Sequence, residues 1–135
     1  MFDRTLPVAD PDTAPYWASC AKHQLRLQRC VGCTRLQHFP GPVCRSCGAK
    51  DLEWSEVSGR GFIYTFIVVH HVVAAGFPKD RPYVVAWVEL DDQPGLRVLT
   101  NILECSPDDV SIGQRVEVTF EDLPGGVSLP QFRPA

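Results

Sequence analysis

Two runs of this chain are apolar at nearly every position. In residues 62–71, one side of a two-residue repeat carries Phe62, Tyr64, Phe66, Val68 and His70, and the other carries Ile63, Thr65, Ile67, Val69 and His71. Aromatic and β-branched residues at this density predict a strand covered on both faces. Residues 83–90 repeat the pattern, interrupted only by Glu89. Asp91-Asp92-Gln93-Pro94-Gly95 reads as a hairpin turn into a third strand over residues 96–103. Ser106-Pro107-Asp108-Asp109 has the serine cap, the proline and the early carboxylates of a helical turn. Residues 115–121 then alternate cleanly, with Val116, Val118 and Phe120 on one side and charged or hydroxyl residues on the other, which predicts a half-solvated strand. Leu123-Pro124-Gly125-Gly126 turns the chain into a last strand ending near Phe132. Five strands with a helical turn between the third and fourth follow the order of an OB-fold barrel, residues 58–135.

The first half is patterned differently. Residues 1–12 show little periodicity. Asp12 or Thr13 is placed to cap a helix that has Pro15 in its first turn and runs to about His23, with Tyr16, Trp17, Cys20 and Ala21 as its apolar side. So short a helix must lie against something, and an aromatic pair is a large anchor. Residues 24–28 and 52–57 alternate and predict two short strands that pair. Between them stand Cys30-Val31-Gly32-Cys33 and Cys44-Arg45-Ser46-Cys47-Gly48, with ten residues separating the two cysteine pairs. Each Cys-x-x-Cys forms a knuckle that directs two sulfurs at one ion, and Gly32 and Gly48 are expected at its left-handed turn. Thiolates from Cys30, Cys33, Cys44 and Cys47 fill all four tetrahedral positions, so the site predicted is structural Zn2+ with no vacancy for a substrate. Iron in the same cage, as an electron carrier, is the other chemistry this donor set allows. The chain therefore reads as mainly β: an N-terminal arm and helix (1–23), a zinc ribbon (24–57) and the OB-fold barrel (58–135).

Charge and composition narrow the function. A formal net charge of −3 lacks the basic footprint that phosphate backbones require. Because OB-folds and zinc ribbons both occur in nucleic-acid binders, such a module stands as the alternative function. No apolar run reaches the ~18 residues of a membrane span, and Met1-Phe2-Asp3-Arg4 lacks a signal-peptide pattern. The expected compartment is the cytoplasm, where reduced cysteines hold metal rather than pair as disulfides. There is no Gly-x-Ser-x-Gly, phosphate loop or dinucleotide fingerprint. Cys20 and Cys105 read as small core residues with no activating base beside them. His70 and His71 are neighbours on a strand, point to opposite faces and cannot share a metal. His38 lies in the ribbon loop, where four thiolates already suffice.

Several segments occur in a specific order: Tyr16-Trp17 on the helix, Leu25-Arg26-Leu27-Gln28-Arg29-Cys30, the four cysteines, Trp54, Ser58-Gly59-Arg60-Gly61 before Tyr64-Thr65, Arg81-Pro82-Tyr83-Val84-Val85-Ala86, and Phe132-Arg133-Pro134. This order resembles the acyl-CoA-associated family with a rubredoxin-like zinc ribbon and an OB-fold, long classed as a domain of unknown function. The resemblance implies a non-catalytic subunit of a thiolase, acyltransferase, or lipid-transfer-protein-like aldolase that shortens sterol side chains. The implied assembly is a heterotetramer, and the subunit helps form the partner's acyl-CoA site. For the CoA phosphates, Lys79 and Arg81 are the best-placed cations, with Phe77 nearby for stacking. Tyr16, Trp17, Tyr64, Phe66 and His70 are the residues expected at the partner interface.

Overall fold

A computed structural model describes residues 4–71 and 81–135 of the chain. Helix α1 (Ala14–Ala21) leads into a three-stranded sheet of β1 (Arg26–Cys30), β2 (Leu36–Gln37) and β3 (Leu52–Glu56), in the order β2-β1-β3. A second sheet holds β4 (Arg60–Val69), β5 (Tyr83–Leu90), β6 (Arg97–Asn101), β7 (Arg115–Leu123) and β8 (Val127–Pro134), in the order β6-β5-β4-β7-β8. A 3-10 turn at Pro107–Asp109 precedes β7 as expected, with Ser106 as its cap. The fold is thus a helix, a ribbon and an OB-type five-stranded sheet. Among the described residues no helix is long and apolar enough to cross a membrane.

Helix α1 begins directly after Thr13, one of the two expected cap positions, but the side-chain oxygen that gathers the leading N–H groups belongs to Asp10. Asp10 Oδ1 accepts from the backbone N–H groups of Asp12 and Thr13, at 2.9 and 2.8 Å, and the Thr13 side chain caps nothing within the helix. His23 ends it in the left-handed conformation (φ 58°), and its N–H donates to the Cys20 carbonyl. The His23 ring stacks on Phe120 at 5.0 Å and meets Asp122 at 2.8 Å, which pins the helix end to β7.

The strand over residues 62–71 corrects the expectation of two covered faces. Ile63 pairs with Val88 and Thr65 with Trp87, so Tyr64 is an extra, bulged residue. The bulge shifts the parity of everything after it. Ile63 is buried before the bulge and Phe66 and Val68 pack on the core after it, while Ile67 is 63 % exposed. One face is core; the other is open.

β6 and β8, the sheet's edges, are drawn together by a parallel bridge between Ile102 and Phe132, supported by Leu103 N–H donating to the Phe132 carbonyl at 2.8 Å. The barrel is therefore partly open, held at a seam where Phe132 is wholly buried. Ribbon and barrel share one hydrophobic cluster, to which α1 gives Tyr16 and Cys20, the ribbon Leu25, Leu27 and Leu36, and the barrel Ile63, Val88, Val98 and Phe132 among others. Gln93, in the β5–β6 turn, locks this junction. Its amide donates to the Leu36 carbonyl and accepts from the Leu36 N–H, both at 2.9 Å.

Candidate metal centre and adjoining cleft

The two knuckles are built alike. Thr34 N–H donates to the Cys30 carbonyl and Gly48 N–H to the Cys44 carbonyl, each at 2.8 Å, and both donors take the left-handed turn (φ 66° and 79°). Gly48 fills that position as expected; in the first knuckle Thr34 fills it, not Gly32. The Cys33 N–H points at the Cys30 sulfur and the Ser46 N–H at the Cys44 sulfur, both at 3.4 Å. The four sulfurs all lie within 4.8 Å of one another, with Cys30–Cys47 and Cys33–Cys44 at 3.6 Å. Zinc–sulfur bonds of about 2.3 Å in a tetrahedron require sulfurs spaced by a little under 4 Å, so the cage fits one zinc ion.

Its electrostatics point the same way. The Cys47 backbone N–H, with that of Ser46 behind it, holds the Cys44 thiol down to about 6. At Cys47 the Ala49 N–H works in the same direction, but the crowd of sulfurs, Cys30 first, carries the thiol up to about 11. Four sulfurs this close cannot all ionise without a cation among them.

The loop between the knuckles is held by two cross-strand glutamines. Gln28 Oε1 accepts from Gln37 Nε2 and from the Gly41 N–H, and Gln28 Nε2 donates to the Gly41 carbonyl. Gln37 in turn reaches the Val43 carbonyl and the Arg45 N–H. Anchored in this way, residues 38–40 face the barrel across a cleft of about 350 Å3. Tyr16 and Trp17 of α1, His38 and Phe39 of the loop, Leu99 of β6 and Pro130 of β8 are among its walls. Burial, with the Arg45 charge adding to it, holds the His38 imidazole down to about 4, so it is neutral at pH 7.

Family models for the ChsH2 rubredoxin-like zinc ribbon domain and the ChsH2 C-terminal OB-fold domain match residues 17–53 and 54–121. The chain belongs to the ChsH2 family. A solved structure described as an Ltp2-ChsH2(DUF35) aldolase is similar at TM-score 0.86 and 37 % identity, over 96 % of this chain and 98 % of that one. A "Probable enoyl-CoA hydratase alpha subunit" of Thermomonospora curvata is 38 % identical over 132 residues, 98 % of this chain but 40 % of its own length. A "DUF35 domain-containing scaffold protein" of Methanocaldococcus jannaschii is 40 % identical over 97 residues, 70 % of this chain and 66 % of its own. The ChsH2-family chain thus spans well under half of the hydratase subunit. Its zinc-ribbon match and its four convergent sulfurs together support structural zinc.

Within this ChsH2 fold the other expected site residues are dispersed. Phe77 and Lys79 lie outside the described residues, and Arg81 is exposed just ahead of β5. Tyr16 is only 5 % exposed, so its ring serves the chain's own core rather than a partner surface, because the helix turns that side onto the barrel. Trp17 is half-buried in the cleft wall. Tyr64 stands out at the bulge with the Arg97 guanidinium 3.6 Å over its ring. Phe66 is packed on the core, and His70 is exposed just beyond β4. The sequence reading missed Trp87 and Leu99, which are paired in register across β5 and β6 and are 37 % and 48 % exposed. The available signal was their register: both fall on the side of their strands opposite the buried Val88 and Val98.

Proposed function

We propose that this chain is a non-catalytic subunit that docks on a thiolase-superfamily catalytic partner (a thiolase, acyltransferase or aldolase) and helps form that partner's acyl-CoA site. The observation that carries this is the end-to-end likeness to a chain of an Ltp2-ChsH2 aldolase, joined to a cage whose four thiolates leave zinc no open position. Relatives named as a scaffold protein and as a hydratase alpha subunit support a role within an assembly. The open face of the barrel supports it physically. Tyr64, Ile67, Trp87 and Leu99 expose a strip of large apolar side chains, an unusual expense of hydrophobic surface unless a protein covers it. Trp17, Phe66 and His70 border the same docking region in this reading, and Arg81, with Lys79 and Phe77, serves the CoA phosphates and adenine. The acyl group carried is a lipid-derived thioester, and the assembly is a heterotetramer.

The test is co-expression with the thiolase-superfamily protein encoded nearest to it. A stable complex is expected by size-exclusion chromatography with light scattering, with two copies of each chain. Trp87→Arg with Leu99→Arg is expected to separate the two without changing zinc content or the thermal midpoint. Acyl-CoA turnover by the isolated chain, or an unaffected complex in the double variant, would refute the reading.

A further inference from the structure

Strand β4 is paired on both sides only at its start. Arg60, Gly61 and Phe62 lie against β7, and Ile63 closes that side by donating to the Gln114 carbonyl at 3.0 Å and accepting from the Gly113 N–H at 2.8 Å. Over residues 65–69 β4 has β5 on one side and, among the described residues, no strand on the other. Register decides which backbone groups are left over. Leu90 N–H donates to the Leu96 carbonyl at 2.9 Å, so Leu90 turns its backbone toward β6. Alternation along an antiparallel ladder turns Val88, Ala86 and Val84 the same way, and Trp87, Val85 and Tyr83 toward β4. Their mates Thr65, Ile67 and Val69 therefore face β5. Phe66 and Val68 point their N–H and C=O groups out of the free edge, where no described backbone group meets them. Proteins blunt such an edge with lysine, proline or a bulge. Thr65-Phe66-Ile67-Val68-Val69 carries no charge and no proline, and the bulge at Tyr64 precedes it. Apolar side chains flank it: Ile67 on the strand itself, and Ile112, beside Gly113 at the closed end, 69 % exposed.

We propose that this edge receives one extended, uncharged segment of the catalytic partner, which adds a strand to the sheet beside residues 65–69 and bonds the backbone of Phe66 and Val68. The inference rests on the docking reading above and names the manner of contact. Alternate side chains of the added segment meet Ile67 on the open face, so they are apolar, and a proline opposite Phe66 or Val68 is excluded because it has no N–H to give. A second copy of this chain fits less well. Five residues make an edge about 17 Å long and about 10 Å deep, roughly 170 Å2 a side. Edge-to-edge pairing leaves both open sheet faces in solvent, so it buries far less than the ~1,200 Å2 in total of a stable interface. A partner seated on Tyr64, Ile67, Trp87 and Leu99 is already held beside the edge, because Tyr64 and Ile67 belong to the strand that carries it.

The experiment compares amide exchange in the intact zinc-loaded chain and in its complex with the thiolase-superfamily protein encoded nearest to it, read residue by residue by fragmentation mass spectrometry after quenching. In the chain alone, Thr65, Ile67 and Val69 are expected to exchange slowly and Phe66 and Val68 fast. In the complex, Phe66 and Val68 should slow by roughly tenfold or more. Val68→Pro removes only an outward N–H, a change that an edge strand tolerates. It should retain zinc and weaken the complex by about tenfold, and Val68→Ala, which keeps the N–H, should weaken it less. Where Val68→Pro does not fold, the wild-type exchange decides alone. A complex in which Phe66 and Val68 stay fast would overturn the added strand and leave the docking reading standing; no complex at all would overturn both. Protection of the two amides in the chain alone would overturn the partner as occupant: protection that grows with concentration would assign the edge to a second copy, and protection that does not would mean that the chain closes its own edge.

Discussion

His38 makes a residue-scale statement about pH. Burial, then Arg45, holds its folded pKa down to about 4, while an unfolded chain carries an ordinary imidazole near 6.5. Between those values the unfolded chain binds a proton that the folded chain refuses, so stability rises with pH across that window. The carboxylates whose pKa values are lowered act lower down: Asp91 through Arg115, and Asp122 through Ser128 and then His23, lose their contribution only below about pH 4. The urea midpoint of the wild type is therefore expected to fall as pH drops from 6.5 to 4. His38→Phe should flatten that limb, and a parallel slope in both proteins would refute it. His38 also shows where single-residue reading stops. The four cysteines were legible because their spacing is itself the chemistry. Gln28, Gln37 and Gln93 were not, because a glutamine in a strand or a turn reads as solvent-facing until a loop carbonyl or a neighbouring strand is found beside it. Tyr16 was legible as an anchor, but apolar character alone does not say whether the chain's own core or a partner receives it.

At the scale of elements, strand content was legible and strand faces were not. The period of two located β4, β5 and β7 from their side chains, but the bulge at Tyr64 reverses parity without leaving a turn residue in the sequence. β2 is two residues long, too short to alternate. Gly61, just ahead of the bulge, shows how close β4 and β5 run: a Cβ built there collides with the backbone carbonyl of Glu89. Backbone cannot swing aside as a side chain can, so Gly61→Ala is expected to destabilise by about 1–3 kcal/mol, read as a lower urea midpoint at unchanged slope. Phe132 bears on the seam instead. It is fully buried where β8 meets the end of β6, and Phe132→Ala should cost about 3–5 kcal/mol. Amide exchange should quicken first at Leu103, whose N–H bonds the Phe132 carbonyl. Protection at Leu103 that matches the wild type would show that the seam does not depend on this ring.

For the whole molecule, the division into helix, ribbon and barrel read from the sequence describes the order of the parts better than their independence. Tyr16, Leu27, Leu36 and Phe132 lie in one cluster, and Gln93 pairs with both backbone groups of Leu36 across the junction. Zinc therefore supports more than the ribbon. Cys44 sits beyond the loop that Gln28 and Gln37 hold, and that loop carries His38 and Phe39 into the cleft. Cys44→Ser opens one coordination position in a unit to which structural zinc contributes on the order of 10 kcal/mol. The barrel sheet, in contrast, is held by ladders from β4 to β8 that no cysteine enters. The variant is thus expected to lose zinc and exchange protection in β1 to β3, to lose the ring contacts of His38 with Tyr16, and to keep slow exchange in β5. Hydrogen exchange read by mass spectrometry separates the outcomes. Protection lost equally in β5 would mean that metal, ribbon and barrel form a single cooperative unit. Protection kept in β1 to β3 with zinc gone would mean that the shared hydrophobic cluster, not the ion, holds the ribbon.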